Sequence, residues 1–399
     1  LGDCWRYQDA VKAVESYLKA ADLFRAAGEE GLSGLADLGN NLRRLERYDD
    51  AVAILVEVTT AYEKLGKKAE TAEILLQVGV CWRGKDDAKA IETYMKAADL
   101  FRAAGEEGLS GLAKTGSNLH HLKRFVESEH IFAEVIAAHE KLGKKADAAR
   151  ILSQLGDCWR YQDAVKAVES YLKAADLFRA AGEEGLSGLA DLGNNLRRLK
   201  RYDDAVAILV EVSAAYEKLG KKAETAEILR QVGDWWRGKD DAKAVETYLK
   251  AASLFRAVGR KGLESLAAIG TDLHGLWRYD EADCIFVEVS GAYEKLGEKI
   301  SAAEILSQRG DCWRYQDDVK AVESYRNSLD LYRAAGEDGL DGLAETGFDL
   351  AKALLRCRQF SDAALVFVEA GVAYATYASL PTEFRGGNPN ISIDPDALY

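Results

Sequence analysis

The sequence predicts an all-α fold, namely a right-handed superhelical α-solenoid of antiparallel helix pairs. The first observation is a repeat of 77 residues: segments 1–77 and 155–231 differ only at Glu46/Lys200, Thr59/Ser213, Thr60/Ala214 and Leu76/Arg230. The second is that all three prolines lie within the last nineteen residues, so no proline interrupts a helix before them. A strict tandem repeat indicates a stacked array in which each unit buries its apolar face against its neighbours.

Each 77-residue unit divides into two helical hairpins. One glycine marks the first helix of each hairpin, and these marker glycines are separated alternately by 37 and 40 residues. They are Gly2, Gly39, Gly79, Gly116, Gly156, Gly193, Gly233, Gly270, Gly310 and Gly347. The spacing predicts about ten hairpins in residues 1–380, the first of which lacks the start of its leading helix. Residues 381–399 are rich in Gly, Asn, Pro and Asp, which favours an extended C-terminal tail or a cap over the last helix.

Residues 32–66 illustrate the elements of one hairpin. Apolar residues at steps of three and four form one face of a first helix and then one face of a second helix. These residues are Leu35, Leu38, Leu42 and Leu45, followed by Ala51, Leu55, Val58 and Tyr62. Tyr48, Asp49 and Asp50 are predicted to form the turn, with Asp49 or Asp50 as the N-cap of the second helix. Gly66 is predicted to end that helix as a C-cap glycine.

The loops between hairpins alternate in charge. One class has two acidic residues after glycine, as in Gly28-Glu29-Glu30, and the other has two lysines, as in Gly66-Lys67-Lys68. Opposite signs on successive loops would help to fix the register of the stack, although exposed pairs contribute little each. Gly259-Arg260-Lys261 breaks the pattern in the fourth unit.

Composition excludes several classes of function. The net charge of −13 argues against a nucleic-acid partner, which would require an extended basic surface. No apolar run approaches the roughly 18 residues of a membrane span, so no membrane partner is expected. Cys4, Cys81, Cys158 and Cys312 occupy one equivalent position in successive units, too far apart for a disulfide. We interpret them as reduced core cysteines of a cytoplasmic protein.

These residues resemble the tetratricopeptide repeat. The resemblance lies in Leu38-Gly39-x-x-Leu42 followed by Arg47-Tyr48-Asp49-Asp50-Ala51, and in Val78-Gly79-x-x-Trp82 followed by Ala90 and Tyr94. It covers nearly all of residues 1–380. The family's proline after the second helix is replaced here by glycine, and the repeats are a few residues longer. In these longer second helices the chain also resembles the tetratricopeptide-like arrays of soluble NSF attachment proteins and kinesin light chains.

A basic residue stands four positions after the marker glycine in nine of the ten hairpins. The resemblance implies that this part of the first helix faces a concave groove, where a guanidinium fork would suit carboxylates or phosphates. Alternate hairpins add an Asn or a second basic residue, similar to the clamps by which some tetratricopeptide domains hold a terminal carboxylate. The candidate peptide-binding residues are Asn40, Arg43, Arg44, His120, His121, Asn194, Arg197, Arg198 and His274.

The alternative role of the basic residues is salt bridging or plain solvation, because pairs such as Asp157–Arg160 and Asp311–Arg314 lie three residues apart. The Trp series falls where the family pattern has a large packing residue, so core packing is favoured over an aromatic cage. It consists of Trp5, Trp82, Trp159, Trp236 and Trp313, while Trp277 lies outside it and is expected to be partly exposed. The histidines between 120 and 139 lack the spacing of metal ligands.

The favoured function is a protein–protein interaction scaffold that binds an extended peptide or a partner helix in the concave groove. The partner would be a protein or peptide, acidic or with a free C-terminal carboxylate. Two alternatives are a structural protein that self-assembles head to tail through an uncapped N-terminal edge into a filament, and a sensor or regulatory arm of a larger protein. No catalytic motif, metal site or cofactor site is recognisable, so we predict that the chain is not an enzyme.

Overall fold

A computed structural model of the chain describes residues 9–379. The chain forms two compact units, divided between Ala205 and Val206. The first unit contains the helices α1 Ala10–Ala26, α2 Leu32–Arg44, α3 Tyr48–Lys64, α4 Lys68–Trp82, α5 Asp87–Ala103, α6 Leu109–His121, α7 Phe125–Lys141, α8 Lys145–Trp159, α9 Ala164–Ala180 and α10 Leu186–Arg198. Helix α11, Tyr202–Lys218, contains the division between the units.

The second unit continues with the helices α12 Lys222–Trp236, α13 Asp241–Val258, α14 Leu263–Gly275, α15 Tyr279–Lys295, α16 Lys299–Trp313, α17 Asp318–Ala335, α18 Leu340–Arg356 and α19 Phe360–Ser379. No strand occurs between residues 9 and 379. Short 3-10 turns precede α2, α6, α10, α14 and α18. The predicted all-α fold of tetratricopeptide-like helix pairs is confirmed, while the predicted tail at 381–399 and the N-terminal edge at Leu1 lie outside the described residues.

Even-numbered helices are the first helices of the hairpins, and they form a continuous row within each unit. Helices α1 to α10 and helices α12 to α19 each pack against their neighbours along the chain, and the even helices also contact the next even helix. In the first unit these additional contacts join α2 to α4, α4 to α6, α6 to α8 and α8 to α10, and in the second unit they join α12, α14, α16 and α18. The row therefore places one face of successive first helices side by side.

The marker glycines allow the two helices of a hairpin to approach closely. A Cβ atom added at Gly79 would lie 2.3 Å from Cε1 of Tyr94, and one added at Gly233 would lie 2.5 Å from Cε1 of Tyr248. The tyrosine ring thus rests on the glycine backbone, and the side chain is fully buried. The same glycine–tyrosine contact recurs at Gly156 with Tyr171 and at Gly310 with Tyr325. The glycines that define the repeat are therefore sites of helix packing.

The predicted N-cap at Asp49 or Asp50 is wrong. The chain reverses earlier, through Glu46 in the left-handed region at a φ of 59°. Glu46 N donates to Arg43 O at 3.0 Å and Arg47 N donates to Leu42 O at 2.9 Å, which closes the end of α2. The next helix therefore begins at Tyr48, and both aspartates lie in its first turn. Their negative charges interact favourably there with the positive end of the helix dipole. The predicted C-cap at Gly66 is confirmed, with a φ of 70°.

Charges on the inter-hairpin loops pair as the alternation predicts. Lys67 Nζ lies 2.9 Å from Glu29 Oε1, and Lys144 pairs in the same way with Glu106. The exception in the fourth unit has a structural reason, because Arg260 pairs with Glu298 at 2.7 Å, so acid and base have exchanged places. The attraction is kept although both signs are reversed.

The predicted core roles of cysteine and tryptophan are confirmed at most described positions. Cys81 and Cys312 are buried thiols, and burial raises the pKa of Cys81 to about 11 and that of Cys312 to about 12. Cys158 is half-buried. Trp159 and Trp313 are buried, whereas Trp277 is 74% exposed, as its position outside the Trp series suggested. Cys4 and Trp5 lie outside the described residues.

The glycine–tyrosine contact predicts opposite effects of two Gly→Ala substitutions in the second unit. Gly233→Ala should lower the free energy of unfolding by about 1–3 kcal/mol, because the new methyl group collides with Tyr248. Gly291→Ala in α15 should raise it by about 0.5–1 kcal/mol, since nothing lies within 4 Å of its Cβ position and alanine favours the helix. Urea unfolding measures both values. Shifts of the midpoint in the same direction would contradict the steric explanation.

Candidate functional site

A groove of about 380 Å³ in the first unit runs across four first helices. Helix α2 contributes Asn40 and Arg43, α4 contributes Glu73, Leu76, Gln77 and Val80, α6 contributes Lys114, Ser117 and Asn118, and α8 contributes Gln154. On α2, α4 and α6 these residues recur at steps of three and four, with Leu76–Gln77 and Ser117–Asn118 as adjacent pairs, so they form one stripe along each helix. The opposite face of α2, with Leu35 and Leu42, is buried in the core. The row of even helices aligns the stripes into one lining.

The lining combines amide groups with few charges. Asn40, Gln77, Asn118 and Gln154 each carry a hydrogen-bond donor and acceptor in one side chain. Lys114 and Glu73 neutralise each other at 2.9 Å. The Nε atom of Arg43 and the Oε1 atom of Gln77 are buried without a hydrogen-bond partner in the described part of the chain. Buried polar atoms of this kind are normally satisfied, so the groove offers unused hydrogen-bonding capacity.

Val80 interrupts a polar arrangement that three sister repeats share. In these repeats an aspartate accepts a hydrogen bond from the tyrosine that rests on the marker glycine. The pairs are Tyr171–Asp157 at 2.7 Å, Tyr248–Asp234 at 2.6 Å and Tyr325–Asp311 at 2.8 Å. Valine replaces the aspartate at position 80, and the buried hydroxyl of Tyr94 has no partner among residues 9–379. Burial raises the pKa of Tyr94 to about 12, so the hydroxyl is neutral at ordinary pH.

A second carboxylate is also missing next to Arg83. In the second unit, Arg237 lies 3.7 Å from Asp272, and Arg314 lies 3.3 Å from Asp349 on the following first helix. In the repeat that contains Arg83, the position of these aspartates is occupied by Asn118, which lines the groove. The Arg160 guanidinium lies 3.4 Å from the Asp157 carboxylate. In the repeat that contains Arg83, Val80 occupies the position of Asp157, so Arg83 lacks this partner too. Within the described residues, neither Arg43 nor Arg83 has an ion pair.

The structure separates the candidate residues that the sequence grouped together. Asn40 and Arg43 line the groove. Arg44 and His121 are exposed and lie outside its lining. On α10, Arg197 and Arg198 are exposed and Asn194 is half-buried, and these three residues are also outside the lining. His274 belongs to the second unit, where it is half-buried with its ring centroid 5.5 Å from that of Tyr279.

His120 is a correction to the predicted site. Its side chain is fully buried, with ring centroids 4.8 Å from Phe125 and 4.6 Å from Trp159, so it cannot contact a ligand in a groove. Two aromatic rings cover it, one from the start of α7 and one from the end of α8. The desolvation lowers the pKa of His120, which keeps the imidazole neutral.

Sequence reasoning missed most of the lining. Gln77 and Gln154 stand two residues before a marker glycine, where Gln231 and Gln308 recur in the later repeats, so this periodic glutamine could have indicated them. Glu73 and Lys114 follow no repeat-wide pattern of charge. Val80 could have been found, because aspartate stands at every equivalent position of the other repeats. Asn118 gives a weaker signal, since it matches Asn41 and Asn195 and differs only from Asp272 and Asp349. The alternative role of the basic residues, salt bridging, is observed in the second unit, where Arg314 pairs with both Asp311 and Asp349.

The second unit has a groove of opposite character. Its volume is about 510 Å³, and its lining includes Glu264, Asp272 and Glu304 from α14 and α16. Burial and the neighbouring Asp234 raise the pKa of Asp272, and burial and Glu264 raise that of Glu304. The predicted basic ladder therefore does not extend into this groove.

Neither a metal-binding cluster nor a membrane span is present in the part of the chain that the structure describes. No three His, Cys, Asp or Glu side chains come together there in a way that could hold a metal ion. None of the helices between residues 9 and 379 is long and apolar enough to cross a bilayer.

Known proteins resemble this chain in part. Residues 106–266, less than half of the chain, match the family Soluble NSF attachment protein, SNAP. No curated protein matches the sequence. The structure is similar to that of aspartyl phosphate phosphatase F from Bacillus subtilis, with 12% identity over 92% of this chain and 98% of that chain and a TM-score of 0.38.

Two further structures show a comparable likeness. A signal transduction ATPase with numerous domains and a tetratricopeptide repeat sensor, from Pyrococcus horikoshii, is 13% identical over 86% of this chain and 52% of that chain, with a TM-score of 0.41. A Rap protein complexed with competence and sporulation factor is 14% identical over 88% of this chain and 99% of that chain, with a TM-score of 0.35. Because all three TM-scores are below 0.5, these likenesses establish nothing about the function of the chain.

Burial of His120 predicts a loss of stability in acid. Because its pKa is lowered in the folded chain, the unfolded chain takes up the proton at a higher pH. The stability due to neutral His120 is complete above the unfolded pKa of about 6.5 and falls as the pH drops below it, by at most about 1.4 kcal/mol per pH unit. Urea unfolding between pH 8 and 5 should show this slope in the wild type and lose it in His120→Leu. His121→Leu, at an exposed position, is the control, and parallel curves for the wild type and His120→Leu would refute the assignment.

Proposed function

We propose that the chain is an interaction scaffold whose first unit binds an extended peptide segment of a partner protein. The observation that carries this proposal is the groove of about 380 Å³ lined by four successive first helices, with buried polar atoms of Arg43 and Gln77 left without partners. A ligand that supplies hydrogen-bond donors and acceptors along a line would satisfy them. An extended peptide backbone does so at every residue.

The dimensions of the groove suit a short peptide. Neighbouring helices pack with their axes about 8–10 Å apart, so the axes of four first helices span roughly 27 Å. An extended chain covers about 3.3 Å per residue, which corresponds to about eight residues. The four amide side chains, one on each helix, recur along this length and could each bond to the peptide backbone. Leu76 and Val80 add apolar surface between them.

This function requires no catalysis. The lining contains one ion pair, one unpaired guanidinium and neutral amides, and these groups hold a ligand without transferring protons. The unpaired thiols of Cys81 and Cys312 fit a reducing compartment, and on that ground we infer a cytoplasmic location.

Selection from a displayed library of random octapeptides tests the proposal. The full chain should enrich binders, whose affinities are then measured by fluorescence anisotropy. Gln77→Ala/Gln154→Ala should weaken their binding about tenfold or more, because it removes two or more hydrogen bonds worth about 0.5–1.5 kcal/mol each. Gln162→Ala, an exposed glutamine outside the groove, is the matched control. Failure to enrich any peptide, or equal binding by both variants, would overturn the proposal.

A further inference from the structure

We propose that two copies of the chain associate through α19, whose exposed apolar faces pack against each other antiparallel about a two-fold axis. The contact lies in the second unit and uses no residue of the groove in the first unit, so it is independent of the proposed peptide binding. Helix α19 is the last helix that the structure describes, and its surface differs from that of the equivalent helices α3, α7 and α15.

An ion pair aligns α19 with these equivalent helices. The tenth residue of each helix is a glutamate that pairs with an arginine of the preceding second helix. The pairs are Arg25–Glu57, Arg102–Glu134, Arg256–Glu288 and Arg333–Glu369. The four helices can therefore be compared position by position.

The comparison shows that α19 has lost the charges of its last turns. The sixteenth and seventeenth residues of the other three helices are an exposed glutamate and an exposed lysine, namely Glu63-Lys64, Glu140-Lys141 and Glu294-Lys295. In α19 these positions are Ala375 and Thr376, which are also exposed. The two charged residues that α19 keeps, Asp362 and Glu369, pair with arginines of α17 at 2.7 and 2.6 Å. No unpaired charge is therefore left on α19.

The exposed face of α19 is apolar along most of the helix. A stripe with steps of three and four residues is formed by Ala364, Leu365, Val368, Gly371, Val372 and Ala375, all of which are exposed. The three large side chains of this stripe are 71%, 67% and 62% exposed, in the order of their numbers. Phe360, at the start of the helix, is exposed as well. A wide apolar stripe of this kind is typical of a helix face that packs against another surface.

Within each unit, the following first helix covers part of the corresponding face. Thr59 of α3 and Ser290 of α15 are buried, and each of these helices packs against the first helix that follows it. The equivalent residue of α19 is Gly371, which is exposed and has nothing within 4 Å of its Cβ position. Because no helix follows α19 among residues 9–379, this face is open.

A second α19 fits the open face. The occupant must itself be apolar, since the stripe offers no charge for a polar partner to pair with. The chain carries a net charge of −13, so two copies repel each other in general, and an uncharged stripe is where they can approach most closely. The same stripe on both copies is the requirement for a two-fold interface, which closes at two copies and forms no filament.

The distribution of large and small residues favours an antiparallel arrangement. Phe360 and Leu365 lie in the first half of the helix, whereas Gly371 and Ala375 lie in the second half. If Val368 lies on the two-fold axis, Leu365 of one copy is opposite Gly371 of the other, and Phe360 is opposite Thr376. Large residues then face small ones, as close packing of two helices requires.

Sedimentation velocity of the full chain over a concentration series tests the proposal, and the wild type should form a reversible dimer. Val368→Glu and Val368→Lys should each weaken dimerisation at least about a hundredfold, because the axis brings two like charges together in an apolar contact. An equimolar mixture of these two variants should form a dimer again, since unlike charges then meet. Val287→Glu is the matched control: it changes the equivalent valine of α15, which is 48% exposed, and should dimerise like the wild type.

A second variant restores the charges that the equivalent helices carry. Ala375→Glu/Thr376→Lys reproduces the end of α3 and α15 at two exposed positions, so circular dichroism should show an unchanged helix content. Dimerisation should fall about tenfold or more, because the two charges must lose their water when the stripe is covered.

The other outcomes identify what covers the face instead. A wild type that stays monomeric at about 100 μM would overturn the proposal. In a monomer, absence of binding of the hydrophobic dye ANS would assign the cover to residues 380–399 of the same chain, and dye binding that Val368→Glu reduces would assign it to another protein. Assembly beyond two copies, or a mixture of Val368→Glu and Val368→Lys that stays monomeric, would contradict the two-fold arrangement. Peptide binding by the first unit is measured separately and is unaffected by any of these results.

Discussion

The contact between a marker glycine and the tyrosine that rests on it fixes the geometry of each unit. With no side chain at Gly79 or its equivalents, the aromatic ring of the second helix packs directly against the backbone of the first helix. This close approach sets the crossing of the two helices, and repetition of the same crossing brings the first helices into contact with each other. The groove is a consequence of this, because the polar stripes of α2, α4, α6 and α8 can share one lining only when those helices lie side by side.

The same contact buries a tyrosine hydroxyl, which then requires a hydrogen-bond acceptor. Burying a tyrosine places its hydroxyl where water cannot reach it, so the hydroxyl needs an acceptor within the protein. Asp157, Asp234 and Asp311 provide that acceptor, and all three also pair with an arginine close in sequence, namely Arg160, Arg230 and Arg314. Charge, hydrogen bonding and helix packing are therefore coupled at one residue, and a change there alters the groove without altering the fold.

The sequence predicted the helices well and the groove poorly, for a physical reason. Apolar periodicity identifies the buried face of a helix such as α2, since that face packs against its own hairpin partner nearby in sequence. Which polar residues share a groove depends on the stacking of helices about 40 residues apart, as with Gln77 and Asn118. His120 failed as a candidate for this reason, because Trp159, which covers it, comes from the next first helix. The turn at Glu46 was missed because its left-handed conformation needs no glycine.

In a chain of similar repeats, information about function lies in the positions that differ. A change such as the exchange of Glu29–Lys67 for Arg260–Glu298 preserves an ion pair, so it is neutral for the stack. The change at Val80 is of another kind, because it leaves the buried Tyr94 hydroxyl unsatisfied at a cost of about 1–3 kcal/mol. An aspartate would remove that cost, as it does in three sister repeats. Val80 and Asn118 together leave Arg83 without the ion pairs that Arg314 makes with Asp311 and Asp349, although stability alone would favour the aspartates that the second unit keeps at both positions.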